Sequence, residues 1–312
     1  MQARRFPVVL FLLLAAACGA AVEPESANGG TLGTAAAAAP ATAPVLERVV
    51  VIGASLSAGF GLEAELGKRV GFDAVIEAML VADHEPVANF AGPMVFLDPF
   101  GLLENQADKA ELADPTLVMG LDFLFWYVYG YKHDETERVR DLETGLALLD
   151  RFACPILVAT LPDMSEAVGK MLREEQMPAA ASLAAANERI LAYAAGRANV
   201  HVVPLPEFLG RLHAGKSVQV GGGEFQPAEL DALLQWDRLH PSLEGAAAVA
   251  AYAFETLLAG ASGIAASALR LEPRAAAERV RIGSGMRRSE DGTWYHPVGD
   301  ALRKLVPAAS GG

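Results

Sequence analysis

Short apolar runs alternate with longer helical patterns along most of the chain, and this alternation is the feature that most constrains its fold. Each run is too short for a helix, and several are rich in β-branched residues, which is typical of buried strands. The runs are RVVVIG, PVANF, PTLVMG, CPILVATL and NVHVVPL. Strands that alternate with helices about five times favour a parallel sheet covered on both faces. The sequence therefore predicts an α/β fold with three layers, α/β/α, around a mainly parallel sheet of about five strands.

Composition and charge exclude several classes of function. The chain has 312 residues, of which 52% are hydrophobic and 20% charged, so it can bury a full core in one domain with extensions. Its formal net charge is -13 and it has no Lys/Arg-rich run, which excludes a nucleic-acid partner. The two cysteines are Cys18 and Cys154, too few for a disulfide framework. Cys154 precedes an apolar run and is predicted to be a small buried hydrophobe.

The first 18 residues have the layout of a secretory signal. Arg4 and Arg5 precede an apolar stretch of about ten residues, and small residues follow it. The segment Ala15-Ala16-Ala17-Cys18 also resembles a bacterial lipobox, in which the cysteine is lipidated and becomes the mature N-terminus, although Leu14 lies one place too early. Two main alternatives follow: a lipoprotein of the bacterial cell envelope, or a secreted protein released by cleavage. An uncleaved anchor is a third.

The texture of the sequence divides the rest of the chain into three parts. Residues 19–46 are rich in Ala, Gly and Pro and predict a flexible tether, because they cannot bury enough surface to fold. Residues 47–262 carry the α/β pattern. Residues 263–312 are predicted to be an extension that docks on the edge of the domain, and Asp291-Gly292 within it is a hairpin signal.

The loop after the first strand, within VVVIGASLSAGFG at residues 49–61, is well placed for chemistry. Ligands gather at the carboxyl ends of the strands in an open parallel sheet. The loop has neither the G-x-x-x-x-G-K-[ST] pattern of a phosphate loop nor the G-x-G-x-x-G of a dinucleotide turn. It also departs from the G-x-S-x-G elbow, because Ser57 stands at the second glycine. Ser55 can instead be a nucleophile if a base lies near it.

His240 is the best candidate for that base. Asp237 lies three residues before it in WDRLHPSLEG, and Pro241 is predicted to be the first residue of a long apolar helix. One loop can then hold both side chains, so that the carboxylate accepts from one ring nitrogen while the other faces the serine. The remaining histidines lack an acid at useful spacing and are predicted to be surface or core residues: His84, His133, His201, His213 and His296.

Two of these motifs together resemble the SGNH, or GDSL, hydrolase family. Its first block reads G-D-S-L-S-x-G, and GASLSAGFG follows the first strand here; its last block reads D-x-x-H-P, and DRLHPSLEG precedes the last helix of the α/β region. The resemblance covers about residues 47–260. It implies a flavodoxin-like sheet and an esterase that cleaves a carboxylic ester through an acyl-enzyme. It also implies Ser55 as nucleophile, His240 as general base and Asp237 as the residue that orients the imidazole.

The chain departs from the family pattern around the oxyanion hole. Ala54 replaces the Asp of the first block, which is not the nucleophile. The resemblance implies oxyanion donors at the Ser55 backbone and at Gly92 in NFAGPM, and it places Asp122 where the third block, G-x-N-D, has asparagine. Asp122 can donate only when protonated, which needs a strongly raised pKa. Alternatively, Asp122 replaces the family's structural acid and backbone N–H groups alone form the hole.

The pocket and its substrate remain open at this stage. In the aromatic run FLFWYVYGYKH, Trp126 or a tyrosine either packs against the sheet or lines the pocket, and Asp163 ends another strand as a rim residue. O-acetylated glycans, acyl thioesters and short lipid esters all fit the resemblance. The Cys and His spacings offer no zinc site, so no metal or cofactor is expected.

Two other functions compete with ester hydrolysis. The missing asparagine is compatible with a non-catalytic protein at the cell surface that keeps the fold and binds a glycan or a lipid. A phosphate- or nucleotide-binding α/β protein is the third hypothesis, and the glycine spacing and the missing lysine argue against it.

Overall fold

A computed structural model describes residues 44–261 and 263–297. Its central sheet consists of β1 (Val49–Val51), β2 (Ala88–Asn89), β3 (Leu117–Gly120), β4 (Ile156–Ala159) and β5 (Val200–Val203). All neighbouring strands are parallel, and their order is β2-β1-β3-β4-β5. This is the order of flavodoxin-like sheets. The predicted fold class is confirmed, and each of the five apolar runs forms one strand.

Helices connect the strands and continue beyond them. They are α1 (Leu62–Leu66), α2 (Phe72–Glu77), α3 (Pro99–Leu112), α4 (Phe125–Val128), α5 (Glu135–Leu149), α6 (Ala180–Ala195), α7 (Leu205–His213), α8 (Leu230–Leu233), α9 (Leu243–Gly260) and α10 (Pro273–Gly283). None of the described helices is long and apolar enough to cross a bilayer.

Alternate residues of each strand bury into opposite layers. Val49 and Val51 belong to a core cluster with side chains of α2, α9 and α10, whereas Val50 belongs to a second cluster with α3, α5 and α6. Successive side chains of a strand point to opposite faces, so an uninterrupted apolar strand must be covered on both sides. The three-layer arrangement follows directly from this pattern.

The segment after α9 joins the first of these two clusters. Ala277 and Val280 of α10 are buried in the cluster that contains α9, and Arg279 Nε donates to the Ala78 carbonyl at 2.7 Å. The Asp291-Gly292 signal lies between two short antiparallel strands, β8 (Arg287–Arg288) and β9 (Trp294–Tyr295). A second small hairpin pairs β6 (Val218–Val220) with β7 (Gly223–Phe225).

The domain boundaries stay predictions. The signal-like residues 1–18, including Cys18, and nearly all of the tether at residues 19–46 lie outside the described residues. Cys154 is partly buried, and burial raises the pKa of its thiol to about 11, so the thiol is protonated near neutral pH.

Candidate active site

The loop that carries Ser55 turns sharply after β1. Gly53 has a φ of 144°, and a Cβ at this position would lie 2.1 Å from Asp122 Oδ1, so only glycine fits. The loop then closes on itself, since the Ala58 N–H donates to the Ala54 carbonyl at 2.9 Å and the Phe60 N–H to the Ser55 carbonyl at 2.9 Å. The Ser55 hydroxyl is thereby held at the carboxyl edge of the sheet.

The carboxylate of Asp122, from the loop after β3, holds this turn in place. Its Oδ1 accepts from the Ala54 N–H at 2.9 Å and from the Ser57 hydroxyl at 2.6 Å; its Oδ2 accepts from the N–H groups of Leu56 (2.8 Å) and Ser57 (3.3 Å). Burial raises the pKa of Asp122, and the four hydrogen bonds act against that rise. This geometry is the one expected for a structural acid.

Two amide side chains that the sequence did not predict complete the support of the loop that carries Ser55, residues 52–61. Gln106 of α3 accepts from the Gly53 N–H at 2.7 Å and donates to the Gly53 carbonyl at 3.0 Å, and Asn89 donates to the Ser57 carbonyl at 2.8 Å. The sequence does offer a sign that Gln106 has a special role, because it is a polar residue on the buried face of α3 with Leu103 and Ala107. A buried amide in such a place needs hydrogen-bond partners.

The histidine loop is built around Asp237. Its Oδ1 accepts from the N–H groups of Leu239 (2.9 Å) and His240 (3.0 Å), while its Oδ2 lies 2.8 Å from His240 Nδ1. Burial raises the pKa of Asp237, but these hydrogen bonds outweigh burial and hold the pKa below its usual range. The predicted helix start at Pro241 is wrong by two residues: Ser242 caps α9 by accepting from the Gly245 N–H at 3.2 Å.

The two loops meet at the sheet edge, although their key residues are far apart in sequence. His240 Nε2 lies 2.8 Å from Ser55 Oγ. The Phe60 ring covers the imidazole at a centroid distance of 4.5 Å. Gln235 joins the loops, because its side-chain amide donates to the Phe60 carbonyl at 2.7 Å and to the Pro241 carbonyl at 2.8 Å. Ser55, His240 and Asp237 thus form one continuous hydrogen-bonded chain.

The predicted oxyanion donors do not all reach this site. The Gly92 N–H donates to the Gly53 carbonyl at 3.1 Å, because the chain continues alongside the nucleophile loop after β2, so this group is occupied. Asp122 accepts hydrogen bonds rather than donating to the site. Among the described residues, the Ser55 N–H has no hydrogen-bond acceptor and is free to donate.

A cleft beside Ser55 and His240 is lined mainly by apolar side chains, and neither predicted pocket residue takes part in it. Phe125 lines the cleft, whereas the neighbouring Trp126 packs against Phe96 at 5.8 Å between ring centroids. Asp163 is exposed and accepts from the Ser165 N–H at 2.9 Å. The reason is local geometry, because successive side chains point in different directions: Phe125 faces the cleft and Trp126 does not, while Pro162 and Met164 line the cleft on either side of Asp163 in the sequence.

Arg238, two residues before His240, forms two ion pairs. Arg238 has a φ of 61°, rare for a residue with a side chain, and its guanidinium binds Asp231 at 2.7 Å and Glu166 at 2.6 Å.

Within residues 44–261 and 263–297, no group of three or more His, Cys, Asp or Glu side chains has a metal-binding arrangement.

No protein-family model and no curated protein matches the sequence. Three solved structures resemble the chain in fold. TesA has 20% identity, a TM-score of 0.43 and coverage of 68% of this chain and 98% of its own. A lipase/acylhydrolase from Enterococcus faecalis is 16% identical with a TM-score of 0.46, and the match covers 70% of this chain and 100% of that one. A gut microbial diltiazem-metabolizing enzyme is 12% identical with a TM-score of 0.45, and the match covers 68% of this chain and 46% of that one. These values describe a likeness of fold alone.

Proposed function

We propose that this protein is a serine hydrolase of the SGNH type that cleaves a carboxylic ester through an acyl-enzyme. One observation carries the proposal: Ser55 Oγ, the His240 ring and the Asp237 carboxylate are joined by two contacts of 2.8 Å each. A serine hydroxyl is too weak a nucleophile to act alone, and this is the arrangement that activates it. Ser55 and His240 also line a cleft that can hold a substrate.

The proposed reaction has two halves. Ser55 Oγ attacks the ester carbonyl while His240 Nε2 takes the hydroxyl proton, and the same nitrogen then gives that proton to the departing alkoxide. A water enters, gives a proton to His240 Nε2 and attacks the acyl-serine; the bond to Ser55 Oγ then breaks, His240 Nε2 returns the proton to Oγ, and the carboxylic acid leaves. The low pKa of Asp237 keeps its carboxylate ionised near neutral pH, where it favours the imidazolium formed in each half.

The proposal includes a reduced oxyanion hole. The Ser55 N–H is the one donor among the three predicted that is free, whereas the Gly92 N–H is occupied and Asp122 supports the loop. Loss of one oxyanion donor typically costs about 10²–10³ in rate. We therefore expect a slow esterase with an intact nucleophile.

The reduced oxyanion hole also favours a second candidate, a non-catalytic protein that keeps the fold and binds a lipid or a glycan at the cell surface. This alternative requires tight ligand binding without measurable turnover. Turnover that disappears when Ser55 or His240 is replaced excludes it.

We also propose that the protein is exported, on the basis of the signal-like residues 1–18 and of Cys18 in a lipobox-like context. Mass spectrometry of the mature N-terminus tests this proposal. A diacylglyceryl group on Cys18, absent from a Cys18→Ala variant, supports the lipoprotein; an unmodified new N-terminus supports release. A mature chain that begins at Met1 contradicts both.

The direct test of the activity is hydrolysis of short- and medium-chain aryl esters by the purified protein. Ser55→Ala is expected to abolish turnover, while Ser165→Ala, at an exposed serine, is the matched control and keeps it. Circular dichroism spectra establish that both variants are folded. Wild-type turnover by folded Ser55→Ala overturns the proposal.

A further inference from the structure

The cleft beside Ser55 and His240 is an apolar space enclosed by several elements. About 90 Å³ of it is accessible to the centre of a water-sized sphere, and the cleft is open to solvent on one side. Its walls come from the loop after β4, from α7, from α8 and from α9. The apolar residues on these walls include Leu161, Met164, Phe208, Leu209, Leu233 and Val249.

The polar groups of the cleft are already engaged, apart from those of the proposed reaction. Thr160 donates to the Val203 carbonyl, with its hydroxyl oxygen 3.5 Å away. The Asp122 carboxylate accepts four hydrogen bonds from the nucleophile loop. Among the described side chains that line the cleft, Ser55 and His240 are therefore the polar groups left for a ligand. A sugar would lose its hydrogen bonds to water here without gaining others, which is costly.

Part of the cleft wall is made of core residues. Leu205 and Phe208 line the cleft, are buried, and belong to the core cluster that α9 also joins. In the proposed reaction the alcohol must leave before water attacks, whereas the acyl group stays bound to Ser55. A cleft with apolar walls beside Ser55 fits the group that stays.

We infer that this cleft binds the acyl chain and that the substrates are esters of linear aliphatic acids several carbons long, rather than acetylated glycans. This inference rests on the proposed function and extends it to a substrate class. Val249 on α9 is a specificity-determining residue, because it lines the cleft and is only partly buried in the core behind it.

A series of 4-nitrophenyl esters from acetate to decanoate measures the preference. Burial of each CH₂ group raises kcat/KM by about fourfold, so octanoate is expected to exceed butanoate on the order of a hundredfold. A series of alkyl acetates with growing alcohol chains is expected to show no such rise. A preference for acetate, or for an acetylated sugar, overturns the inference.

Val249→Phe tests the location of the chain. The larger ring fills part of the cleft, so the ratio of octanoate to acetate hydrolysis is expected to fall at least tenfold. Val81→Phe makes the same change at a side chain that is 41% exposed and outside the cleft, and it is the matched control. An octanoate advantage that survives in folded Val249→Phe overturns the inference.

A binding measurement separates failure of this inference from failure of the proposed function. Nonan-2-one carries a carbonyl and a seven-carbon chain but cannot be cleaved, and its binding to Ser55→Ala is measured by calorimetry. Binding that Val249→Phe weakens and Val81→Phe does not supports the acyl cleft even without turnover. Turnover dependent on Ser55, with no binding of nonan-2-one, leaves the hydrolase standing and overturns the acyl cleft.

Discussion

The two loops that form the site are held in place in different ways. The histidine loop, residues 235–242, supports itself, because Asp237 accepts from the N–H groups of Leu239 and His240 and from the ring of His240. The nucleophile loop, residues 52–61, depends on residues far along the chain, namely Asp122, Gln106 and Asn89. The first is a local structure that a short motif encodes. The second needs partners from β2, from α3 and from the loop after β3.

The largest expected effect is on the shared contact between the loops. His240→Ala removes the proposed general base and is expected to lower kcat about 10⁴-fold or more with little change in folding, because Ser55 then has no proton acceptor. Steady-state hydrolysis of an aryl ester measures the loss. His133→Ala replaces an exposed histidine and is the matched control. Retention of more than a tenth of the activity in His240→Ala contradicts the assignment.

Asp237→Asn tests the local design of the histidine loop. The amide cannot stabilise the imidazolium as a carboxylate does, so kcat is expected to fall about 10²–10⁴-fold while KM stays within a few fold. Asp83→Asn makes the same exchange at an exposed carboxylate and is expected to leave kcat unchanged. A large rise in KM with normal kcat would instead indicate that Asp237 shapes the cleft.

Asp122→Asn tests the long-range design of the nucleophile loop and distinguishes the two roles considered for this residue. As a structural acid, Asp122 uses both oxygens as acceptors, and an amide leaves at least one buried N–H without a partner, at about 1–3 kcal/mol of stability. The free energy of unfolding measured in urea and kcat are then both expected to fall, kcat by about tenfold or more. If kcat rises instead, Asp122 occupies the place of an oxyanion donor and the structural account is wrong.

Gln235→Ala tests the joint between the loops. Loss of its hydrogen bonds to the Phe60 and Pro241 carbonyls is expected to loosen the Ser55–His240 contact and to lower kcat several-fold, with about 1 kcal/mol of stability lost. Gln235→Glu is the informative partner, because a carboxylate cannot donate to two carbonyls and is expected to be at least as harmful. Equal kcat in wild type and both variants would mean that the two loops keep their positions without the hydrogen bonds of Gln235.

The smallest effects are on the pH dependence of stability, and they have opposite signs in the two loops. The pKa of Asp237 is lowered in the folded protein, so its stabilising contribution is present above the ordinary Asp range and is lost as pH falls through the folded pKa. The pKa of Asp122 is raised, so its contribution is present at low pH and is lost as pH rises through the folded pKa.

Urea unfolding as a function of pH measures both slopes. Between about pH 5 and pH 3, the free energy of unfolding is expected to fall less steeply in Asp237→Asn than in wild type and more steeply in Asp122→Asn. Differences from the wild-type slope that have the same sign in the two variants would contradict the contrast between the loops.

The same contrast explains what could be predicted from the sequence. The five strands follow from short apolar runs, and the Asp237–His240 pair follows from a three-residue spacing, because both are local patterns. The partners of the nucleophile loop could not be predicted in this way: Gln106 meets Gly53 across 53 residues of chain. Which of two adjacent side chains faces the cleft was also out of reach, so Phe125 was missed and Trp126 was named instead.

The Gly92 expectation failed for a related reason. A glycine in a turn after a strand is a good candidate donor, but the direction of its N–H depends on how the neighbouring loop runs. Here that N–H meets the Gly53 carbonyl and extends the pairing of β1 and β2 into the loops. A sequence motif carries residue types but not the direction of a backbone N–H.

The most direct test of the account is covalent labelling of the native protein with an alkyl fluorophosphonate, followed by intact mass and peptide mapping. Ser55 Oγ is expected to displace fluoride and form a single phosphonyl adduct, because His240 activates this hydroxyl across 2.8 Å. The adduct is expected to disappear in Ser55→Ala and to form at least a hundredfold more slowly in His240→Ala. Absence of an adduct on Ser55 in the folded wild-type protein, or labelling that is unchanged in His240→Ala, would contradict the central claim that these two loops assemble an activated serine.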